Sequence, residues 1–277
     1  MSGGTRTRII LVISGIVLVV VIFLLPKTPK PKEPIAGTSE DVPAFSFQEQ
    51  LESAHKMLSF NDRDRVDSLI ELTGEAPSNY DSIASIYDSN GQRGIAAHYF
   101  EQKALKDNSE DSYLNAAYRY FDAFKAAGDT AQRSFYVQKA IHAYGQVLEL
   151  NPGNLNAKTD LGICLTEGTN QPMQGITLLR EVVAEDPDHE YAQMNLGFLS
   201  MKSGQFDKAV ERFRKVLEIN PSRLDMYVYL GESYVQLGQN EDAIQNFRIF
   251  ANLSSDPELV DQVNKYIEEL ESKGAKP

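Results

Sequence analysis

The sequence predicts an all-α protein built from stacked helix pairs and preceded by one membrane-spanning helix. Three observations carry this prediction. From about residue 77 the chain repeats itself with a period near 34 residues. Within the repeats, apolar residues recur at the three- and four-residue spacing of a helix face. Near the N-terminus, a run of 17 residues contains no charged side chain, which is typical of a segment that crosses a bilayer.

Composition and charge exclude several classes of function. The 277 residues include 27 basic and 39 acidic side chains, a net charge of −12. Five of the basic residues lie before Glu33, so the rest of the chain is more acidic still. Such a surface repels phosphate backbones and argues against nucleic-acid binding. The single cysteine, Cys164, excludes an intrachain disulfide and any CxxC metal or redox site.

Residues 9–25 are predicted to form the transmembrane helix, after a short N-terminal tail, 1–8. At 1.5 Å per residue the run spans roughly 26 Å, near the lower limit for a bilayer core, and Pro26 ends it. A cleaved signal peptide is the alternative, although no small-x-small cleavage pattern follows. Basic residues flank both ends, so the positive-inside rule is nearly balanced. We expect an uncleaved, single-pass anchor with the acidic body exported, into the periplasm in a bacterium, while a cytosolic body stays open.

The segment that follows, 26–43, is predicted to be a stalk. It holds five prolines in 18 residues, a composition that favours extended polyproline II over a packed core. Its lysines would suit anionic lipid headgroups, and a plain solvated spacer explains them equally. Residues 44–76 then have the pattern of two helices, the second capped by Asn61. This N-terminal pair is either a terminal cap, a decayed repeat or a docking element.

Three consecutive stretches, 155–189, 190–223 and 224–257, align with one another and each holds two apolar helical runs. The small residues Gly197 and Ala209 predict that two helices cross there at close range. This pattern resembles the tetratricopeptide repeat, a 34-residue helix–turn–helix unit. The aligned positions include Leu161-Gly162, Leu196-Gly197 and Leu230-Gly231.

The resemblance extends to two earlier repeats, which gives about five repeats over 77–257. The stretch 77–109 is degenerate, and 110–154 is expanded by roughly eleven residues, either through longer helices or a projecting loop. Residues 258–277 are expected to form a capping helix and tail, because a stacked solenoid needs a polar end. The resemblance therefore implies a right-handed superhelical solenoid of helix pairs.

The sequence shows no constellation of catalytic or metal-binding residues. Its four histidines are scattered, without an HExxH or another metal-ligand spacing. Cys164 lies among apolar residues of a predicted helix and is expected to be a buried thiol rather than a nucleophile. No glycine-rich phosphate loop is present. We therefore predict a protein that is not an enzyme and has no cofactor or metal.

The resemblance also implies a binding surface, because the first helices of tetratricopeptide repeats line a concave groove. In the middle repeat, Met194, Phe198 and Met201 form an apolar row that suits an apolar helix or an extended peptide. The alternative is that this row packs against the expanded loop or against a terminal helix of the same chain. The Lys and Asn pattern with which tetratricopeptide co-chaperones hold a terminal carboxylate is not matched, and Asn195 alone fits it. The predicted groove residues are Tyr118, Ile163, Tyr191, Met194, Phe198, Met201, Val228 and Val235.

Together these features predict a non-catalytic, membrane-anchored adaptor or scaffold in the cell envelope. Its partner is a protein or peptide held in the concave groove, and the anchor confines the search to the membrane. Two alternatives stay open. The helical body is a self-associating structural protein, a homo-oligomer whose groove is filled by the chain itself or by a second copy. Or it is an assembly chaperone that shields apolar segments of a client.

Overall fold

The computed structural model describes residues 45–72 and 76–274, which lie in one compact unit. All regular secondary structure in these ranges is helical, so the predicted all-α class is confirmed. The helices are α1 (Phe47–Met57), α2 (Phe60–Glu71), α3 (Ser78–Ser89), α4 (Arg93–Asp107), α5 (Glu110–Ala126), α6 (Thr130–Leu150), α7 (Leu155–Gly168), α8 (Pro172–Glu185), α9 (Glu190–Lys202), α10 (Phe206–Ile219), α11 (Asp225–Gln236), α12 (Asn240–Leu253) and α13 (Pro257–Gly274).

The helices stack in chain order into a solenoid of helix pairs. From α2 onward, each helix packs against the next one in the sequence, and α7 also touches α9, the first helix of the following pair. The pairs are α3/α4, α5/α6, α7/α8, α9/α10 and α11/α12, and α13 covers the last of them. The first helices of neighbouring pairs therefore lie side by side, and their shared surface is called the groove below.

The helices of one pair cross where small residues allow close approach. A Cβ atom added to Gly197 would lie 2.5 Å from a ring carbon of Phe213, and one on Gly231 would lie 2.5 Å from the ring of Phe247. The buried Ala209 lies on the facing helix of the first of these pairs. The prediction that Gly197 marks a close crossing is confirmed. Aromatic rings on the second helices fill the space that these glycines leave open.

Three first helices end in a left-handed glycine. After α9, Gly204 has a φ of 73°, and the next N–H, that of Gln205, donates to the carbonyl of Ser200 at 2.8 Å. This bond satisfies a carbonyl that the helix end leaves open. The same geometry recurs at Gly91 and Gly238, with φ of 76° and 73°. The turn between the two helices therefore has the same backbone conformation in these three pairs.

Replacing this glycine tests the turn. We expect Gly204→Ala to lower the free energy of unfolding by about 1 kcal/mol, because a Cβ atom disfavours the left-handed conformation. Gly128→Ala is the control, since its Cβ would meet no atom within 4 Å and its φ is not left-handed. Urea unfolding followed by circular dichroism measures both. Equal losses in the two variants would contradict the assignment.

The expansion of the 110–154 stretch consists of longer helices. α5 has 17 residues and α6 has 21, and only residues 127–129 connect them. The alternative of a projecting loop is therefore wrong. The added N-terminal turns of α6 are packed against both neighbouring pairs. A Cβ on Gly94 of α4 would meet the Tyr136 side chain, and one on Gly168 of α7 would meet that of Val137.

The N-terminal pair packs on this lengthened helix. The ring of Phe47 stacks on that of Phe135 with centroids 5.2 Å apart, and the Tyr136 hydroxyl donates to Gln50 at 2.5 Å. α2 is capped by Ser59, whose hydroxyl accepts the N–H of Asp62 at 3.1 Å. The predicted cap at Asn61 is wrong, because the helix begins two residues earlier than the acidic residues suggest.

Within the described ranges, no helix has the length and apolar character that crossing a bilayer requires. The predicted tail at 1–8, the anchor at 9–25 and the stalk at 26–43 all lie outside the residues that the structure describes. These three segments stay predictions from the sequence.

Candidate functional site

The eight predicted groove residues lie on the first helices α5, α7, α9 and α11, but they differ in exposure. Tyr118 and Tyr191 are the most open, with 38% and 39% of their surface exposed. Ile163 and Val228 are only 2% and 4% exposed. The structure places these two in the core, where they offer no surface to a ligand. The repeat register identifies the helix face, but the depth of burial depends on the neighbouring pair.

The apolar row on α9 is half-buried against the next pair. The Phe198 ring meets the Tyr229 ring edge-on with centroids 4.7 Å apart, and the Phe213 ring lies at 5.3 Å. Met194 accepts a hydrogen bond from Arg223 at its sulfur, at 2.9 Å. The row therefore packs within the chain, but these contacts are to its own pair and the next pair, whereas the alternative named the expanded loop or a terminal helix. Met201 and Val235 are half-buried against the same apolar cluster.

One end of this region is fixed by an ion-pair network centred on Arg223. Its guanidinium donates to Glu190 at the start of α9 at 2.7 Å and to Asp225 at the start of α11 at 2.8 Å. The Asp225 carboxylate and, to a smaller degree, Glu190 raise the pKa of the guanidinium. The network ties the two first helices together at this end of the groove.

Between the two exposed tyrosines lies a buried carboxyl group that sequence reasoning missed. Asp160 of α7 is 8% exposed and accepts a hydrogen bond from the Tyr144 hydroxyl at 3.2 Å. Burial raises its pKa to about 6. Tyr118 meets the Tyr144 ring edge-on, and burial together with the smaller effect of the Asp160 charge raises the pKa of Tyr191. The only sequence signal was an acidic residue directly before the Leu161-Gly162 pair.

A half-buried carboxyl group lies on α11. Burial raises the pKa of Glu232 to about 7, and its Oε2 atom is buried without a hydrogen-bond partner. Burial and, to a smaller degree, the Glu232 charge raise the pKa of Tyr229 on the same helix and of Tyr266 on α13. Such an unsatisfied carboxylate is destabilising when ionised.

A pocket of about 240 Å³ opens between α6, α7 and α9. Its lining combines an apolar surface from α9 with basic side chains. Arg133 reaches the pocket from the lengthened α6, which is the second helix of its pair. The sequence prediction of groove residues considered first helices only and therefore did not include it. The lining residues are Arg133, Thr166, Glu167, Asn195, Phe198, Leu199 and Lys202.

The structure shows the surroundings of the single cysteine and of two of the four histidines. His189 caps α9 by accepting the Ala192 N–H at 3.2 Å, and burial lowers the pKa of His98. Cys164 is buried, as predicted, and burial raises the pKa of its thiol. In the part of the chain that the structure describes, no three His, Cys, Asp or Glu side chains are grouped so as to hold a metal ion.

Comparison with known proteins supports the repeats. Residues 137–197 and 200–245 match the model of the tetratricopeptide repeat family, which supports tetratricopeptide repeats in this part of the chain. It is 26% identical over 110 residues to Anaphase-promoting complex subunit 3 of Dictyostelium discoideum, a match that covers 40% of this chain and 11% of that protein. The chain spans between 11% and 35% of the length of three curated relatives.

Solved structures show the same fold. A crystal structure of MamA protein superimposes with a TM-score of 0.53 at 21% identity and covers 70% of this chain and 96% of its own. The structure of YrrB, described as a TPR protein with an unusual peptide-binding site, gives a TM-score of 0.50 at 19% identity and covers 72% and 97%. At these identities the likeness concerns the fold alone.

Proposed function

We propose that this protein is a non-catalytic adaptor or scaffold that binds a segment of a partner protein in the groove formed by α5, α7, α9 and α11. The observation that carries the proposal is the pair of exposed tyrosines, Tyr118 and Tyr191, on this surface. Tyrosine is enriched in protein interfaces because it offers an apolar ring and a polar hydroxyl together. The peptide-binding site named for YrrB, which has the same fold, supports a ligand of this kind.

The proposal includes attachment to a membrane. The uncharged run at 9–25 would serve as the anchor, and the proline-rich segment at 26–43 would hold the repeats away from the lipid. Attachment restricts the repeats to a thin layer beside the bilayer, which raises their effective concentration toward partners in the same membrane. We place the acidic body on the outer side, in the cell envelope.

Capture from the native host tests the groove. The full-length chain would be cross-linked in cells, washed at alkaline pH to retain membrane-anchored material, and purified. We expect Tyr118→Ala with Tyr191→Ala to lose the captured partner, because removal of each interface tyrosine weakens binding by about 1–2 kcal/mol. The matched control is Met173→Ala with Leu253→Ala, which truncates side chains that are 63% and 56% exposed on second helices.

The outcomes separate the alternatives. Partners lost only in the tyrosine variant would support the adaptor. Recovery of nothing but the chain itself would indicate self-association, and many unrelated apolar segments would indicate a chaperone. A partner that survives in the tyrosine variant and disappears in the control would place the binding surface on the second helices and contradict the proposal.

A further inference from the structure

The pocket between α6, α7 and α9 holds two basic side chains with no acidic partner. No Asp or Glu oxygen of the described residues lies within 4.0 Å of the charged nitrogens of Arg133 or Lys202. The one carboxylate in the lining, Glu167, is already paired with Lys125 of α5. The pocket therefore has an excess of positive charge in a protein whose net charge is −12.

Arg133 is fixed before any ligand arrives. Its guanidinium lies 4.1 Å from the centre of the Phe124 ring and donates to the Phe124 carbonyl at 3.3 Å. Those contacts use one face and one N–H of a group that has five N–H donors. A guanidinium held in this way loses little conformational freedom on binding, and its remaining donors match the two oxygens of a carboxylate.

The rest of the lining combines apolar side chains with polar groups that already have partners, including Asn195, whose amide donates to the Tyr191 carbonyl at 2.7 Å. Phe198 and Leu199 line the pocket from α9. The Thr166 hydroxyl donates a hydrogen bond to the Ile163 carbonyl at 3.0 Å. The volume of about 240 Å³ lies below the roughly 300–1,000 Å³ of typical small-molecule sites. The pocket therefore suits individual side chains of an extended peptide better than a whole small molecule.

We propose that this pocket binds an Asp or Glu side chain of the partner segment, with a neighbouring apolar side chain seated against Phe198 and Leu199. The inference rests on the proposed adaptor function and specifies the chemistry of the bound segment. Charge complementarity selects this occupant, since the net charge of −12 disfavours an acidic segment on the surface as a whole. Arg133 reaches the pocket only because α6 is lengthened, so the specificity belongs to the expanded repeat.

The test uses three fluorescein-labelled peptides and the full chain. They share Gly-Ser flanks and differ in the core, Leu-Glu-Phe-Glu, Leu-Gln-Phe-Gln or Leu-Lys-Phe-Lys. Fluorescence anisotropy should show the Glu peptide binding about tenfold or more tightly than the Gln peptide, since charge-assisted bonds distinguish them. Raising the salt concentration from about 50 mM to about 500 mM should reduce this difference.

Charge reversal supplies the matched variants. Lys202→Glu alters an exposed side chain, so the fold should tolerate it, and we expect a loss of about tenfold for the Glu peptide. Arg133→Glu with Lys202→Glu should in addition favour the Lys peptide. Lys208→Glu, at an exposed residue of α10 whose ammonium donates to Gln205, is the control of equal charge and should change nothing.

Three results would overturn the inference. The Glu peptide could fail to bind, bind no better than the Gln peptide, or bind Lys202→Glu undiminished. A chain that sediments as a dimer, separated by Lys202→Glu, would show that a second copy fills the pocket instead. None of these results would remove a partner whose capture depends on Tyr118 and Tyr191, so the adaptor function and this pocket can fail independently.

Discussion

The Gly175→Ala variant is expected to lose about 3 kcal/mol of folding free energy, although it adds only one methyl group. The new Cβ would lie 2.2 Å from the carbonyl oxygen of Gly162 and 3.0 Å from the backbone nitrogen of Thr166. Backbone atoms inside α7 move only if the whole helix moves, so the pair α7/α8 must separate. Helix propensity alone would make the alanine variant more stable by about 1 kcal/mol. The close contact with α7 therefore reverses the sign of the stability change that the helix by itself would give.

Gly145→Ala is the matched control. Gly145 lies inside α6, and a Cβ there would meet no atom within 4 Å. We expect this variant to gain about 0.5–1 kcal/mol from helix propensity and from restriction of the unfolded chain. Thermal unfolding should show Gly175→Ala melting about 6–12 °C below the wild type. The packing of α7 on α8 would be misassigned if both alanine variants were stabilising.

Glu232→Gln is expected to stabilise the protein by about 3 kcal/mol at pH 8 and to have little effect below pH 4.5. Burial raises the pKa of this carboxyl from its ordinary 4.5 to about 7. Below pH 4.5 it is protonated in both the folded and the unfolded states. As the pH rises, the unfolded chain releases this proton first, so stability falls through the window from 4.5 to 7 and the loss is complete above it.

Urea unfolding at pH 5 and pH 8 measures the effect. The wild type should be less stable at pH 8, and Asp160 adds a slope of the same sign because burial raises its pKa to about 6. The Glu232→Gln variant should lose only the part of this pH dependence of stability that Glu232 contributes, and the part from Asp160 should remain. Glu211→Gln, at an exposed residue of α10, is the control. A Glu232→Gln variant with the wild-type pH profile would mean that the carboxylate is solvated.

Most of the helical architecture is readable from the sequence because it depends on local spacing. The period of 34, the apolar residues at helical intervals and the small residues at the crossings are all properties of short stretches. The structure confirms the close crossing at Gly197, where a Cβ would meet the Phe213 ring. The boundary of α2 was less predictable, since Ser59 and Asn61 are both competent caps, and in the structure the Ser59 hydroxyl accepts the Asp62 N–H.

The candidate site was only partly predictable. The repeat register correctly assigns Tyr118 and Tyr191 to first helices. It cannot distinguish these two residues, which are exposed in the structure, from Ile163 and Val228, which are buried. The burial of Asp160 and the position of Arg133 depend on residues of other helices, Tyr144 and Phe124. No pattern within one repeat contains that information.

The sequence by itself therefore determined the helix pairs, their number and order, and the acidic charge, because each of these follows from residue type and short-range spacing. It also supplies the prediction of an anchor at 9–25. Only the tertiary structure decided which groove residues face solvent, which carboxyl groups are buried, and that the lengthened α6 brings Arg133 into a pocket with Lys202. The reason is physical. Burial and charge balance at a point depend on every helix that meets there, and those helices are far apart in the chain.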